Sequence, residues 1–69
     1  MINSVLNFLA NEKWHELDSN LPEIPLIGHC IDCRISDDIK CNEWIVTEII
    51  YHISPTGQLN YVEVECRPR

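Results

Sequence analysis

Glycine is scarce. Gly28 and Gly57 are the only two in 69 residues, which excludes the glycine-rich loops that cradle phosphates in nucleotide-binding proteins. Basic residues are few as well: five Lys and Arg stand against eleven Asp and Glu, for a formal net charge of −6 with His neutral. Such a field repels phosphate backbones and argues against direct binding to DNA or RNA. No apolar run approaches the roughly 20 residues that a membrane-spanning helix needs. The opening Met1-Ile2-Asn3-Ser4-Val5-Leu6 lacks the basic start and small-residue cleavage site of a signal peptide. The expected compartment is therefore the cytoplasm, where cysteines stay reduced. Internal repeats and low-complexity stretches are missing too, and a chain this short holds one domain, residues 1–69.

The composition that remains is globular: 45% apolar and 23% charged. A chain of this size buries only about 60% of the surface its unfolded form exposes. Its core is small enough that a metal, a disulfide or a partner subunit becomes a physical question.

Ile2, Val5, Leu6 and Leu9 recur at i, i+3, i+4 and i+7, the stripe of an amphipathic helix, with Asn3 or Ser4 available as a cap. Phe8 and Trp14 widen its apolar face, and Pro22 and Pro25 lie where the pattern stops. From Leu26 to Ile35 the period becomes two: Ile27, His29, Ile31, Cys33 and Ile35 alternate with Cys30, Asp32 and Arg34, which predicts a half-buried strand. Ser36-Asp37-Asp38 reads as a turn. Glu43 to Ile53 is rich in β-branched and aromatic residues on both faces, as in a central strand. Ser54-Pro55-Thr56-Gly57 predicts a hairpin turn into a strand from Leu59 to Cys66, with Val62, Val64 and Cys66 opposite Tyr61, Glu63 and Glu65. Arg67-Pro68-Arg69 is expected to end the pairing. The predicted fold is α+β, an N-terminal helix packed on a three-stranded antiparallel meander.

Cys30-Ile31-Asp32-Cys33 is a C-x-x-C, with Cys41 and Cys66 further on and His15, His29 and His52 as extra donors. Tetrahedral zinc takes such ligands, so a zinc-stabilised structural module using Cys30, Cys33, Cys41 and Cys66 or a His is the alternative reading. Against it, zinc sites usually need two such pairs, and a regular strand points Cys30 and Cys33 to opposite faces. Redox C-x-x-C sites sit at helix N-termini, whereas here the flanks continue a strand. No catalytic signature surrounds any Cys or His, and Asp37-Asp38 lies in a turn. No catalytic residue is expected, nor any cofactor.

What is left is the surface. Acidic side chains (Asp32, Asp37, Asp38, Glu43, Glu48, Glu63 and Glu65) are expected on the polar sheet face and loop edge. A compact carboxylate array fits a basic groove built for nucleic acid. Together with Tyr61 as an aromatic anchor, Asp32, Asp37, Asp38, Glu43, Glu63 and Glu65 are the candidate partner-binding residues. An open sheet edge also gives a small domain a motive to form a homodimer.

Trp14-His15-Glu16-Leu17-Asp18-Ser19-Asn20-Leu21-Pro22-Glu23 resembles the W-x-x-φ-x-x-x-L-P-E opening of a family of small phage and prophage proteins of unknown function. The match spans ten of 69 residues, and the family's glycine-rich turn after the motif is missing. Size and acidity are also similar to those of phage inhibitors of host defence, anti-CRISPR proteins among them. These likenesses imply a phage-encoded protein that inhibits or retunes a host protein or ribonucleoprotein complex with a basic surface.

Overall fold

In the computed structural model, which describes residues 1–69, there is no helix. Five strands are present: β1 (Ile2–Ala10), β2 (Lys13–Leu21), β3 (Cys30–Asp32), β4 (Glu43–Ile53) and β5 (Leu59–Pro68). They form one curled sheet in the order β2-β1-β5-β4-β3. All neighbours are antiparallel except β1 and β5, which run parallel. The protein is all-β, which overturns the expected α+β architecture with its N-terminal helix.

The reason lies in β1. Ser4, Leu6, Phe8 and Ala10 are all buried, while Asn3, Val5, Asn7 and Leu9 alternate with them. The helical stripe and the strand alternation share Ile2 and Leu6, so the same residues satisfy both periods. The helical reading would have put Val5 and Leu9 beside Leu6; the sheet sends them to the opposite face. What decides between the periods is the next turn. Asn11 and Glu12 take φ of 54° and 64°, the left-handed pair of a tight hairpin turn. Ala10 and Lys13 then pair, and the other eight residues of β1 zip against β2 from Leu9↔Trp14 back to Ile2↔Leu21. Ser4, expected as a cap, instead donates its hydroxyl to the Ile2 carbonyl at 2.8 Å.

β4 and β5 match the expected hairpin. Ser54 closes the turn: its N–H donates to Gln58 O at 2.8 Å and its carbonyl accepts from Gly57 N at 2.9 Å. Gly57 sits at φ 88°, where a Cβ would be strained. A bulge at Thr47 interrupts the register between Val46↔Cys66 and Glu48↔Glu65. Trp44 and Val46 face inward before it and Ile49 after it, so the alternation changes parity. That switch, rather than burial on both sides, accounts for much of the unbroken apolar run. β4 is flanked by β3 only at Glu43–Ile45 and is otherwise a sheet edge beside β5. β5 also runs further than expected, since Arg67 and Pro68 pair with Ile45 and Trp44.

The strand predicted over Leu26–Ile35 shortens to Cys30–Asp32, although its alternation persists: Ile31, Cys33 and Ile35 are half-buried and Cys30, Asp32 and Arg34 exposed. The segments that flank β3 between residues 22 and 42 pack on the inner face of the sheet. Ile24, Ile31, Cys33, Ile35, Ile39 and Cys41 pack on a core of Leu6, Phe8, Trp44, Val46, Val62, Val64 and Cys66. Phe8 and Trp44 meet at 4.9 Å between ring centroids, tilted 59°. The Trp44 indole N–H donates to Cys33 O at 2.8 Å, tying the cover to the sheet.

Candidate functional site: the outer sheet face

The register fixes which side chains share the uncovered, outer face. β2 contributes Trp14, Glu16, Asp18 and Asn20, and β1 contributes Asn3, Val5, Asn7 and Leu9. β5 contributes Tyr61, Glu63, Glu65 and Arg67, opposite His52, Ile50, Glu48 and Ile45 of β4. Read across the strands, Glu16, Asn7, Glu65 and Glu48 make one row, and Asp18, Val5, Glu63 and Ile50 the next. Neighbouring strands lie about 4.8 Å apart and alternate residues on a strand about 6.8 Å. Glu16, Asp18, Glu48, Glu63 and Glu65 thus form one carboxylate field.

That field carries an internal cost. Glu48 stands directly opposite Glu65, and like charges placed so destabilise a sheet. Desolvation, followed by a hydrogen bond and repulsion from Glu48 and the nearby Glu63, raises the Glu65 carboxyl above its ordinary value of 4.5. Aromatic contacts close the two ends. His52 and Tyr61 stack at 4.2 Å, and His52 Nε2 lies 3.0 Å from Glu63 Oε1. At the other end the Arg67 guanidinium sits 5.6 Å above the Trp14 ring.

The expected binding residues divide. Tyr61, Glu63 and Glu65 lie within the field; Tyr61 is half-buried beneath its stacking partner rather than freely exposed. Asp32 and Glu43 pair at a far corner, where Arg69 meets Glu43 at 3.4 Å. Asp37 and Asp38 are in their turn, away from the sheet, with Asp37 3.4 Å from Arg34. Glu16 and Asp18 lie outside the expected binding set, because the helical reading of the N-terminal segment runs through Trp14 towards Pro22 and hides a strand there. The signal was present: His15, Leu17, Ser19 and Leu21 alternate with Trp14, Glu16, Asp18 and Asn20.

Cys33 lies near Cys66, but the four cysteines do not gather into one cluster. All four are free, with Cys30 exposed and Cys66 buried, and nowhere do three or more His, Cys, Asp or Glu come together as metal ligands. Burial, with Cys33 nearby, pushes the Cys66 thiol up to about 11. Across the edge of β2, Trp14, His15, Glu16 and Leu17 join Arg34 and Ile35 around a cleft of about 410 Å³. No helix is long and apolar enough to cross a membrane.

Comparison with protein-family models, with curated proteins and with solved structures gives no match.

Proposed function

We propose that this protein works by binding: its outer sheet face docks on a basic surface of a nucleic-acid-handling or defence complex in the host cytoplasm and competes there with phosphate. The observation that carries this reading is the gathering of Glu16, Asp18, Glu48, Glu63 and Glu65 on one face, including a directly opposed like-charge pair. Carboxylates held at this density, on rigid strands, raise the local negative potential and speed encounter with a cationic groove. Trp14 and Tyr61, at either end of the field, supply apolar anchors of the kind that dominate hot spots. The phage resemblance over Trp14–Glu23 supports the same reading, since Trp14, Glu16 and Asp18 all belong to this face. Reduced cysteines, Cys66 buried among them, suit a cytoplasmic protein.

The test compares two charge reversals in a pull-down from host lysate. Glu16→Lys/Asp18→Lys/Glu65→Lys should lose the captured complex, and added polyanionic DNA should release it from the unmodified protein. Asp37→Lys/Asp38→Lys should retain it, because those carboxylates lie outside the field. Equal retention by both variants would sink the proposal.

A further inference from the structure

We propose that two copies of this chain associate through β4, whose free edge Thr47–Ile53 pairs antiparallel with the same segment of a second copy about a two-fold axis at Ile50. This inference rests on the free edge of β4 and not on the docking reading above, although Glu48 belongs to both.

The edge is open. The last backbone bonds to β4 on that side are Gly28 N–H to Val46 O at 2.8 Å and Val46 N–H to His29 O at 2.9 Å. Beyond Val46 the strand has a neighbour only in β5. A free strand edge offers a row of unpaired donors and acceptors, which proteins usually blunt with charge, proline or cover. The opposite edge of the sheet, β2, is blunted in this way by Lys13, Glu16 and Asp18. Ile49-Ile50-Tyr51 on β4 carries no charge, and Tyr51 and Ile53 remain 53% and 59% exposed although they sit on one strand with the core residues Trp44 and Val46.

The register follows from symmetry and charge. In an antiparallel pair, two opposed residues either both aim their backbone groups at the partner or both aim them away, so a two-fold axis has to pass through a residue rather than between two. Thr47–Ile53 has Ile50 at its midpoint, and this centre uses the whole free segment. It sets Glu48 opposite His52 of the second copy, twice, on the outer face, and Ile49 opposite Tyr51, twice, on the other. An acid faces a base and an aliphatic faces an aromatic, both favourable cross-strand pairs. Centres at Ile49 or Tyr51 would set Glu48 opposite Ile50 or Ser54 and lose the first of these. The same arrangement brings the turn at Leu26–His29, which ends the β3 pairing, towards the far end of the partner strand. Leu26 and Ile27, both exposed in that turn, then have the exposed Ile53 of the second copy to cover. Self-complementarity of charge, apolar pairs and length points to a second copy rather than to an unrelated peptide.

Sedimentation velocity on the full chain is the first measurement, with twice the 8.1 kDa chain mass expected at micromolar concentration. Tyr51→Lys puts a charge on an already exposed position, so it should leave folding intact by circular dichroism and yield a monomer. Glu48→Lys should weaken the dimer about tenfold, and adding His52→Glu should restore it by setting an acid opposite the new lysine. Glu16→Lys/Asp18→Lys, on the far edge, should leave association unchanged. Amide exchange should show protection on alternate residues of Thr47–Ile53 that rises with protein concentration. A monomer at millimolar concentration overturns the proposal. So does a dimer indifferent to Tyr51→Lys, or a Glu48→Lys defect that His52→Glu fails to rescue in a folded protein.

Discussion

Glu65 is where the cost of the acidic face is concentrated. Its carboxyl loses solvent on the sheet and faces Glu48, so the folded state holds its proton more tightly than the unfolded chain does. The sign follows directly. The penalty is fully present above the raised folded pKa and disappears as pH falls through it towards 4.5, the unfolded reference. Glu65→Gln should therefore stabilise the protein at pH 7, by about 1 kcal/mol, with the gain shrinking as pH falls and vanishing in thermal melts well below 4.5. A constant gain across that range would mean that packing, and not charge, is responsible. If the face exists to bind, the same substitution should weaken the partner complex while it strengthens the fold. Opposite signs of this kind are expected where stability has been given up to function. Glu65 was legible as a surface acid because Tyr61, Glu63 and Glu65 alternate with Val62, Val64 and Cys66. Its neighbours were not, since cross-strand pairing depends on a bulge at Thr47 that no local pattern announces.

Among the elements, β4, β5 and the turn between them were readable because each signal there has one interpretation. β-branched residues favour the pleated strand, Pro55 fixes a turn, and Gly57 accepts the positive φ. The first hairpin was hidden by two ambiguities. Ile2, Val5, Leu6 and Leu9 suit a helix as a set, and Asn11-Glu12 is an imperfect form of the Asn-Gly signal for a two-residue turn. Asn tolerates the left-handed region; Glu does not do so readily, yet Glu12 sits there at φ 64°. Glu12→Gly should relieve that strain and raise stability by about 1 kcal/mol, measured as a shift in urea midpoint without a change in slope. A destabilising Glu12→Gly would show that the turn relies on the Glu side chain rather than merely enduring it. Phe8 gives the complementary case from within β1. Fully buried against Trp44, it should cost about 3–5 kcal/mol when cut to Ala, enough to unfold a domain this small at room temperature. A helix lying on the outside of a three-stranded meander would have tolerated that change far better.

For the whole molecule, the strand order matters as much as the composition. Placing β1 between β2 and β5 moves Glu16 and Asp18 next to β5, so acids far apart in the chain become one field. The parallel pairing of β1 and β5 joins residues more than fifty positions apart, and nothing in either segment encodes it locally. The excess negative charge was legible from the composition; its location was not. This arrangement makes the response to salt diagnostic. Repulsion within the field opposes folding, whereas attraction to a cationic partner favours binding, and added ions weaken both, with a screening length of about 10 Å at 0.1 M. Raising sodium chloride from 0.02 to about 0.5 M should therefore increase the melting temperature of the isolated protein while weakening its capture of the partner. Glu16→Lys/Asp18→Lys/Glu65→Lys should flatten both responses, because it removes the repulsion and the attraction together. Asp37→Lys/Asp38→Lys reduces the net negative charge too, but leaves the sheet face untouched. If it flattened them equally, net charge alone would govern the behaviour and the arrangement of carboxylates across the strands would have no special role.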